Sequence, residues 1–286
     1  MHCFKEISSK EINSYQIKAY KLDDTRNDIN STFHLQNHLI EKIKKMKMHQ
    51  TAYSVLNHMP PNLQANFTKK LQEKLENATH PKQCKVPAFH VARSRVTEFM
   101  SQILLEKEFG CIFSEKYDKR INQPSSLYND HAKGIDVTGL RKDENNDYKF
   151  VICEVKATQD YNAPSKTGED LYGDICNNVN DEDRILREIK EVLDYQDEKE
   201  YDGIISFLTK LTSGNDTSLN LKSSIILIPF LIKGSQTDFD TNQFDEFNFY
   251  TKDSMKEYDV SGFLWSFVDN ITDFSIETYT KALSDG

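Results

Sequence analysis

Apolar residues recur along this chain with two different periods, and each period predicts one kind of element. Alternation of apolar and polar positions, or a short continuous apolar run, is typical of a strand, whereas apolar residues three and four apart are typical of an amphipathic helix. The predicted strands are 15–22, 111–117, one centred on Asp136, one centred on Ile152, 224–232, 247–250 and 272–279. The predicted helices are 31–49, 60–75, 92–109, 181–196 and 260–268.

The order of these elements from residue 92 onward predicts the α/β class. It runs helix, strand, strand, strand, helix, strand, and the polar segment 143–147 has the composition of a hairpin turn. Gly110 is the expected C-terminal cap of the first helix, and Asp181 is the expected N-terminal cap of the second. We therefore expect a mixed sheet flanked by helices.

The segment 77–87 has the composition of a connector, which indicates two regions. We predict a mostly helical N-terminal region, residues 1–86, that contacts a partner or DNA. A second domain, residues 87–286, would hold the mixed sheet and a C-terminal extension.

The composition favours a cytoplasmic protein without membrane contact. No apolar stretch is long enough to cross a bilayer, and the N-terminus lacks the basic start and apolar segment of a signal peptide. The five cysteines are scattered and never spaced as CxxC, which argues against a disulfide framework or a structural zinc site.

Charge is distributed unevenly along the chain. Residues 42–95 hold eleven Lys and Arg against two Glu, whereas residues 136–286 hold 15 basic and 31 acidic residues. A basic segment beside an acidic body can face phosphates or an acidic partner, and an ordinary solvated helix face explains the same pattern equally well. The candidates for contact with nucleic acid or a partner are Lys42, Lys44, Lys45, Lys47, Arg93 and Arg95.

The segment 134–158 places charged residues inside two apolar runs. Glu154 and Lys156 are two residues apart, so in a strand their side chains point to the same face. Charge inside an apolar strand is costly unless it is paired or binds a metal. Asp136, from a neighbouring strand, could complete a site for a hard divalent cation. A cross-strand ion pair on a solvated sheet face is the alternative interpretation.

These residues suit phosphodiester hydrolysis with Mg²⁺, or with Mn²⁺ as a substitute. Mg²⁺ takes oxygen ligands and keeps several waters, so Asp136, Glu154 and the carbonyl of Val155 suffice as direct ligands. Lys156 could orient the attacking water or stabilise charge on the phosphate. Glu98, on the preceding helix, is a candidate ligand for a second metal, and a pair with Arg95 explains its position equally well.

The motif Gly134-Ile135-Asp136 followed by Glu154-Val155-Lys156 resembles the PD-(D/E)xK nuclease superfamily, with Ile135 at the position of the proline. The longer segments 93–98, 133–139 and 152–158 resemble HamA, the nuclease subunit of the Hachiman antiphage system, over roughly residues 88–232. The resemblance implies a restriction-endonuclease-like core and a metal-dependent DNA nuclease. It also implies that a partner helicase, HamB, holds and controls the nuclease.

Two other functions remain open from the sequence. A non-catalytic regulatory or binding subunit with a nuclease-like fold would use the basic segment and the acidic body for assembly. A restriction-type endonuclease would need a domain that recognises its own DNA site, and the N-terminal region of about 86 residues is small for that task.

Overall fold

A computed structural model describes residues 4–12, 15–23, 31–49, 60–61, 86–114, 135–145, 147–159, 165–194, 201–212, 221–234 and 258–284. In this part of the chain, seven strands form one mixed sheet with the order β1-β2-β7-β6-β5-β4-β3. The strands are β1 (Phe4–Ile12), β2 (Tyr15–Leu22), β3 (Cys111–Ile112), β4 (Val137–Lys142), β5 (Tyr148–Thr158), β6 (Ile225–Lys233) and β7 (Asp259–Ser266). The four central strands β2, β7, β6 and β5 run parallel, and the outer pairings are antiparallel.

Helices cover both faces of this sheet. They are α1 (Ser31–His49), α2 (Val86–Glu108), α3 (Ser165–Val179), α4 (Glu182–Asp194), α5 (Tyr201–Thr212), the short α6 (Leu221–Ser224) and α7 (Ile271–Ser284). Helices α1, α2 and α7 pack on one face, and α3, α4 and α5 pack on the other. The sequence prediction of a mixed α/β fold is therefore confirmed.

The central strands are buried on both faces, which fixes their position between the helix layers. Every residue of β6 is buried, as expected for a parallel strand covered by helices on both sides. Along β5, Val151 and Cys153 belong to the core beneath α1, α2 and α7, whereas Phe150 and Ile152 belong to the opposite core. Burial of each large apolar side chain stabilises the fold by roughly 1.5–3 kcal/mol, so β5 and β6 are held firmly between the two helix layers.

Most of the predicted elements near the middle of the chain are confirmed. Strands 15–22 and 224–232, helices 31–49 and 92–109, and the hairpin around 143–147 are all present, with small shifts at their ends. Gly110 adopts a φ of 68° just after α2, as a C-terminal cap requires. Asp181 caps α4, because its Oδ1 atom accepts a hydrogen bond of 2.9 Å from the backbone N–H of Arg184.

Two predictions near the C-terminus are wrong. The predicted helix 260–268 is strand β7, whose alternate residues enter both cores, so its apolar pattern cannot be told from that of a helix. The predicted strand 272–279 is helix α7. Its β-branched and aromatic residues favour a strand locally, but Asn270 caps the helix by accepting backbone hydrogen bonds of 3.0 and 3.1 Å from Thr272 and Asp273.

Other elements differ from the prediction in extent or were not predicted. Strand β3 covers only Cys111–Ile112, and β4 begins immediately after Asp136 rather than around it. Strand β1 and helices α3 and α5 were not predicted. Three predicted segments lie outside the described residues. They are the helix 60–75 apart from its first two residues, the strand 247–250 and the connector up to residue 85.

The described residues on either side of the predicted boundary at residue 86 share one sheet. Strand β2 pairs with β7 from Gln16↔Ser261 to Lys21↔Ser266, and α1 packs against α7. The division into regions 1–86 and 87–286 stays a prediction. None of the helices described is both long enough and apolar enough to span a membrane.

Candidate active site

Strand β5 carries two of the predicted site residues on one face. Val151, Cys153 and Val155 face the core beneath α1, α2 and α7. Side chains alternate along a strand, so Glu154 and Lys156 face the opposite helix layer, which contains α3 and α4. Glu154 is buried, with 5% of its surface exposed, and the Lys156 side chain is 34% exposed. Glu154 and Lys156 therefore lie where β5 passes out of the core beneath α3, α4 and α5 and borders a cavity.

Asp136 joins this pair from the strand next to β5. The β4–β5 ladder pairs Val137 with Cys153, so its next step places Asp136 across from Glu154. The Oδ2 atom of Asp136 accepts a hydrogen bond of 2.8 Å from the backbone N–H of Val155. The carboxyl groups of Asp136 and Glu154 are also hydrogen bonded to each other.

Two carboxyl groups in contact, one buried and one half-buried, have an electrostatic cost. Burial and the charge of Asp136 raise the pKa of Glu154 to about 9. Burial also raises the pKa of Asp136, although the hydrogen bond from Val155 works against this rise. The pair therefore retains a proton at neutral pH, and a divalent cation that replaced the proton would relieve the repulsion between the two groups.

Lys156 keeps its positive charge in this setting. Burial lowers the pKa of Lys156, but its bond to Asp174 and the nearby carboxylates outweigh that effect, so the net change is upward. Its ion pair is with Asp174 of α3. The alternative interpretation, a simple ion pair across a solvated sheet face, does not describe this arrangement, because Glu154 is buried and Lys156 pairs with a helix.

A cavity of about 740 Å³ opens above these residues, between β5 and the helices α2, α3 and α4. Its size suits a nucleotide-sized group. Both cationic and anionic side chains line it. It is lined by Arg93, Ser94, Thr97, Glu98, Asp136, Glu154, Val155, Lys156, Ala157, Asp174, Asn177, Asn178 and Arg184.

The cavity residues on α3 and α4 were missed by sequence reasoning. Asp174 pairs with Lys156, and the Nδ2 atom of Asn178 donates a hydrogen bond to Oε1 of Glu154. Helix α3 was not predicted because Gly168, Gly173 and many polar residues weaken the helical signal. The spacing of Leu171 and Ile175 was the signal that could have revealed it, since both are buried one turn apart.

Glu98 lies on α2 at the cavity wall, and its neighbourhood extends to α7. Burial raises the pKa of Tyr279 to about 12; the charge of Arg95 lowers this pKa and that of Glu98 raises it. Arg95 and Glu98 of α2 therefore both affect the pKa of Tyr279. Among the described residues, no group of three or more His, Cys, Asp or Glu is arranged to hold a metal ion. The role of Glu98 as a ligand of a second metal stays a prediction.

The predicted basic contacts occupy different positions. Arg93 lines the cavity and donates a hydrogen bond from Nη2 to the carbonyl of Ala157. Lys42 donates to Oε1 of Gln102 and lies 4.9 Å from the centroid of the Phe99 ring, so it packs between α1 and α2.

Lys44 lies 3.7 Å from Oε1 of Glu41 on the same helix. The backbones of Lys45 and Lys47 belong to α1, but their side chains lie outside the described residues. A contact of these four lysines, of Arg93 or of Arg95 with DNA or a partner stays a prediction.

The residues at the cavity floor fit a hard divalent cation. Asp136 and Glu154 both line the cavity and offer carboxylate oxygens. Val155 also lines the cavity, and its carbonyl stays the predicted backbone ligand. A set of two carboxylates and one carbonyl suits Mg²⁺, which keeps several waters, better than it suits Zn²⁺.

Comparison with known proteins assigns the chain to a family. No match to the chain was found among curated proteins. The family model of HamA, however, matches residues 1–281 of the 286 residues. The chain therefore belongs to the HamA family, and this membership implies a component of the Hachiman antiphage defence system.

Proposed function

We propose that this chain is a metal-dependent nuclease that hydrolyses DNA phosphodiesters as the effector subunit of a Hachiman defence complex with a partner helicase. The observation that carries the proposal is the hydrogen-bonded pair of half-buried Asp136 and buried Glu154 beside the charged Lys156 at the floor of one cavity. Proteins rarely place two carboxyl groups in contact away from bulk water unless a cation or a catalytic task uses them.

The order of elements around the cavity supports a restriction-endonuclease-like core of the PD-(D/E)xK type. Helix α2 precedes three antiparallel strands, β3, β4 and β5, and the parallel strand β6 completes the set after the helices α3 to α6. The acid before β4 and the Glu-x-Lys on β5 occupy adjacent strands, as a shared site requires.

Each residue has a defined task in this proposal. A bound Mg²⁺ or Mn²⁺ ion, held by Asp136, Glu154 and the carbonyl of Val155, would neutralise phosphate charge and make a bound water more acidic. Lys156 stays protonated, so it acts as a cation that orients the attacking water or stabilises negative charge, rather than as a base.

Three cationic side chains at the cavity can contact a substrate phosphate, although four acidic ones, Glu98, Asp136, Glu154 and Asp174, also line it. Arg93, Lys156 and Arg184 all reach the cavity. The chain as a whole carries a net charge of −9, which repels nucleic acid at long range. We therefore propose that a partner holds the DNA strand and controls its access to the cavity.

The proposal is tested with the purified complex of this chain and its helicase partner. Plasmid DNA, single-stranded DNA and RNA are incubated with Mg²⁺, with Mn²⁺ or with EDTA. We expect metal-dependent cutting of DNA that falls at least 100-fold in Lys156→Ala, since one preorganised charge commonly contributes that much. Lys190→Ala, which changes an exposed lysine of α4 that pairs with Asp194 on the same helix, is the matched control and should cut normally.

The same variants separate this proposal from a non-catalytic role. Phage protection that survives Lys156→Ala in a normally folded protein would support a regulatory subunit with a nuclease-like fold. Loss of protection in Lys156→Ala but not in Lys190→Ala would support the nuclease.

A further inference from the structure

Helix α3 contacts both residues of the Glu-x-Lys pair. The contacting residues are separated by similar distances along α3 and along β5. Glu154 and Lys156 are two residues apart on β5, which separates them by roughly 6.6 Å along the strand. Asp174 and Asn178 are one turn apart on α3, a separation of roughly 6 Å along the helix. Asn178 therefore contacts Glu154 while Asp174 contacts Lys156.

The position of Asn178 in its helix is unusual for a polar residue. Leu171, Ile175 and Asn178 follow one another at the spacing of a single buried stripe, and Asn178 is only 2% exposed. An apolar residue would pack there without the cost of burying an amide. The amide offsets that cost through its hydrogen bond to Glu154, which is itself almost fully buried.

The ion pair of Asp174 differs from the Asn178 contact in exposure. The Asp174 side chain is 42% exposed and the Lys156 side chain 34% exposed. An ion pair with this exposure contributes little to stability, because water screens it. Its main physical effect is to restrict the Lys156 ammonium, a flexible group on a four-carbon chain, to one side of the cavity.

We propose that Asp174 and Asn178 are positioning residues of the active site, an inference that rests on the nuclease function proposed above. Asn178 engages Oε1 of Glu154 and so directs Oε2 toward the cation site shared with Asp136. Asp174 holds the Lys156 ammonium beside that site without binding the cation itself. Helix α3 is thus the support that orients both residues of the Glu-x-Lys pair.

Direct metal binding tests the role of Asn178 without any cleavage assay. The full chain is titrated with Mn²⁺ by calorimetry, and the free-ion signal is followed by paramagnetic resonance. Asn178→Leu keeps the volume of the side chain but removes the amide. We expect it to weaken Mn²⁺ binding about 10- to 100-fold, the usual effect of losing a group that orients a metal ligand. Wild-type affinity in folded Asn178→Leu would overturn this role.

Asp174→Asn tests the other half of the proposal and does not depend on a change in the core. We expect Mn²⁺ binding within about twofold of wild type, an unchanged melting temperature, and a kcat for DNA cutting that is reduced about 10-fold or more at unchanged KM. Asp174→Glu, which restores the carboxylate, should recover part of kcat. Asp170→Asn, one turn earlier on α3 and exposed, is the matched control.

The outcomes distinguish this inference from the proposed function. Normal DNA cutting and normal Mn²⁺ binding in both α3 variants would overturn the inference and leave the nuclease intact. Weakened Mn²⁺ binding in Asp174→Asn would overturn its assignment as a lysine-positioning residue. If the wild-type complex binds Mn²⁺ but cuts no nucleic acid, the nuclease function fails, whereas a loss of binding in Asn178→Leu would still support its contact with the metal site.

Discussion

At the scale of single residues, the contact between Asp136 and Glu154 dominates the chemistry of the molecule. The Glu154 carboxyl group is buried and that of Asp136 is half-buried, and the hydrogen bonds that they accept come from the Asn178 amide and the Val155 backbone N–H. A folded protein carries such a pair at a cost in stability, because at neutral pH it must take up a proton or tolerate the repulsion. Function, rather than stability, explains why these two residues lie together.

The raised pKa of Glu154 predicts a pH dependence of stability. The folded protein holds this proton between the ordinary pKa of 4.5 and about 9, whereas the unfolded chain releases it. The free energy of unfolding of the metal-free protein therefore falls as pH rises through this interval. Glu154→Gln, which mimics the protonated form, should melt at a higher temperature than wild type at about pH 8 and at a similar temperature near pH 4.

Thermal unfolding in EDTA at several pH values measures this difference. Glu144→Gln, on the exposed hairpin turn, is the control and should follow the wild-type curve. Parallel curves for wild type and Glu154→Gln would show that Glu154 is not held protonated.

Arg184 carries a second prediction at this scale. Its Nε atom is buried at the cavity and has no hydrogen-bond partner among the described residues, which is costly for a guanidinium donor. A substrate phosphate would satisfy it. We expect Arg184→Gln to weaken DNA binding by the non-cutting Glu154→Gln protein about 10-fold in a fluorescence anisotropy titration. Exposed Arg187 on the same helix provides the control Arg187→Gln, and equal affinities for the two variants would exclude the contact.

At the scale of elements, two glycines near the site should respond to alanine in opposite ways. In β4, a Cβ atom on Gly139 would lie 2.7 Å from the Phe113 ring and 2.8 Å from the backbone oxygen of Ile112. We expect Gly139→Ala to destabilise the protein by about 1–3 kcal/mol through this overpacking. In α3, a Cβ atom on Gly173 would meet nothing within 4 Å. Gly173→Ala should therefore stabilise the protein by about 0.5–1 kcal/mol.

Chemical denaturation of the two variants gives both values. The comparison is internally controlled, because the same substitution is made in two environments. A stabilising Gly139→Ala would contradict the tight contact between β3 and β4, and a destabilising Gly173→Ala would contradict the open surface of α3.

The elements also explain what could be predicted from sequence. The Glu-x-Lys face of β5 was predictable because strand periodicity depends on nearest neighbours alone, and the alternate membership of β5 residues in the two cores agrees with it. The contacts of Asp174 and Asn178 were not predictable, because they are distant in sequence. Asp174 is 18 positions from Lys156, and Asn178 is 24 positions from Glu154. Strand β7 was predicted as a helix because burial on both faces removes the alternation of a strand. Helix α7 was predicted as a strand because its β-branched residues obscure the helical pattern.

At the scale of the whole molecule, the N-terminal strands belong to the same sheet as the candidate active site. Phe4 of β1 packs edge-on against Trp265 of β7, with the ring centroids 4.9 Å apart. Trp265 is fully buried and is the single tryptophan of the chain. Its fluorescence therefore reports directly on the contact between the start of the chain and the centre of the sheet.

Phe4→Ala tests this contact. Loss of a buried phenylalanine leaves a cavity beside Trp265, so we expect a loss of about 3 kcal/mol in the free energy of unfolding and a red shift of the native emission. Denaturant unfolding followed by fluorescence measures both. Phe33→Ala, on an exposed position of α1, should change neither. An unshifted emission in Phe4→Ala would contradict the pairing of these residues.

The central claim is that the carboxyl pair of Asp136 and Glu154 holds the metal ion for DNA cutting within the Hachiman complex. The most direct test compares plasmid cleavage by complexes that contain wild type, Glu154→Gln or Glu144→Gln, each with Mg²⁺ and with EDTA. We predict metal-dependent cleavage by wild type and Glu144→Gln, and a loss of at least 100-fold in Glu154→Gln. Equal cleavage by wild type and Glu154→Gln, or undiminished cleavage in EDTA, would contradict the claim.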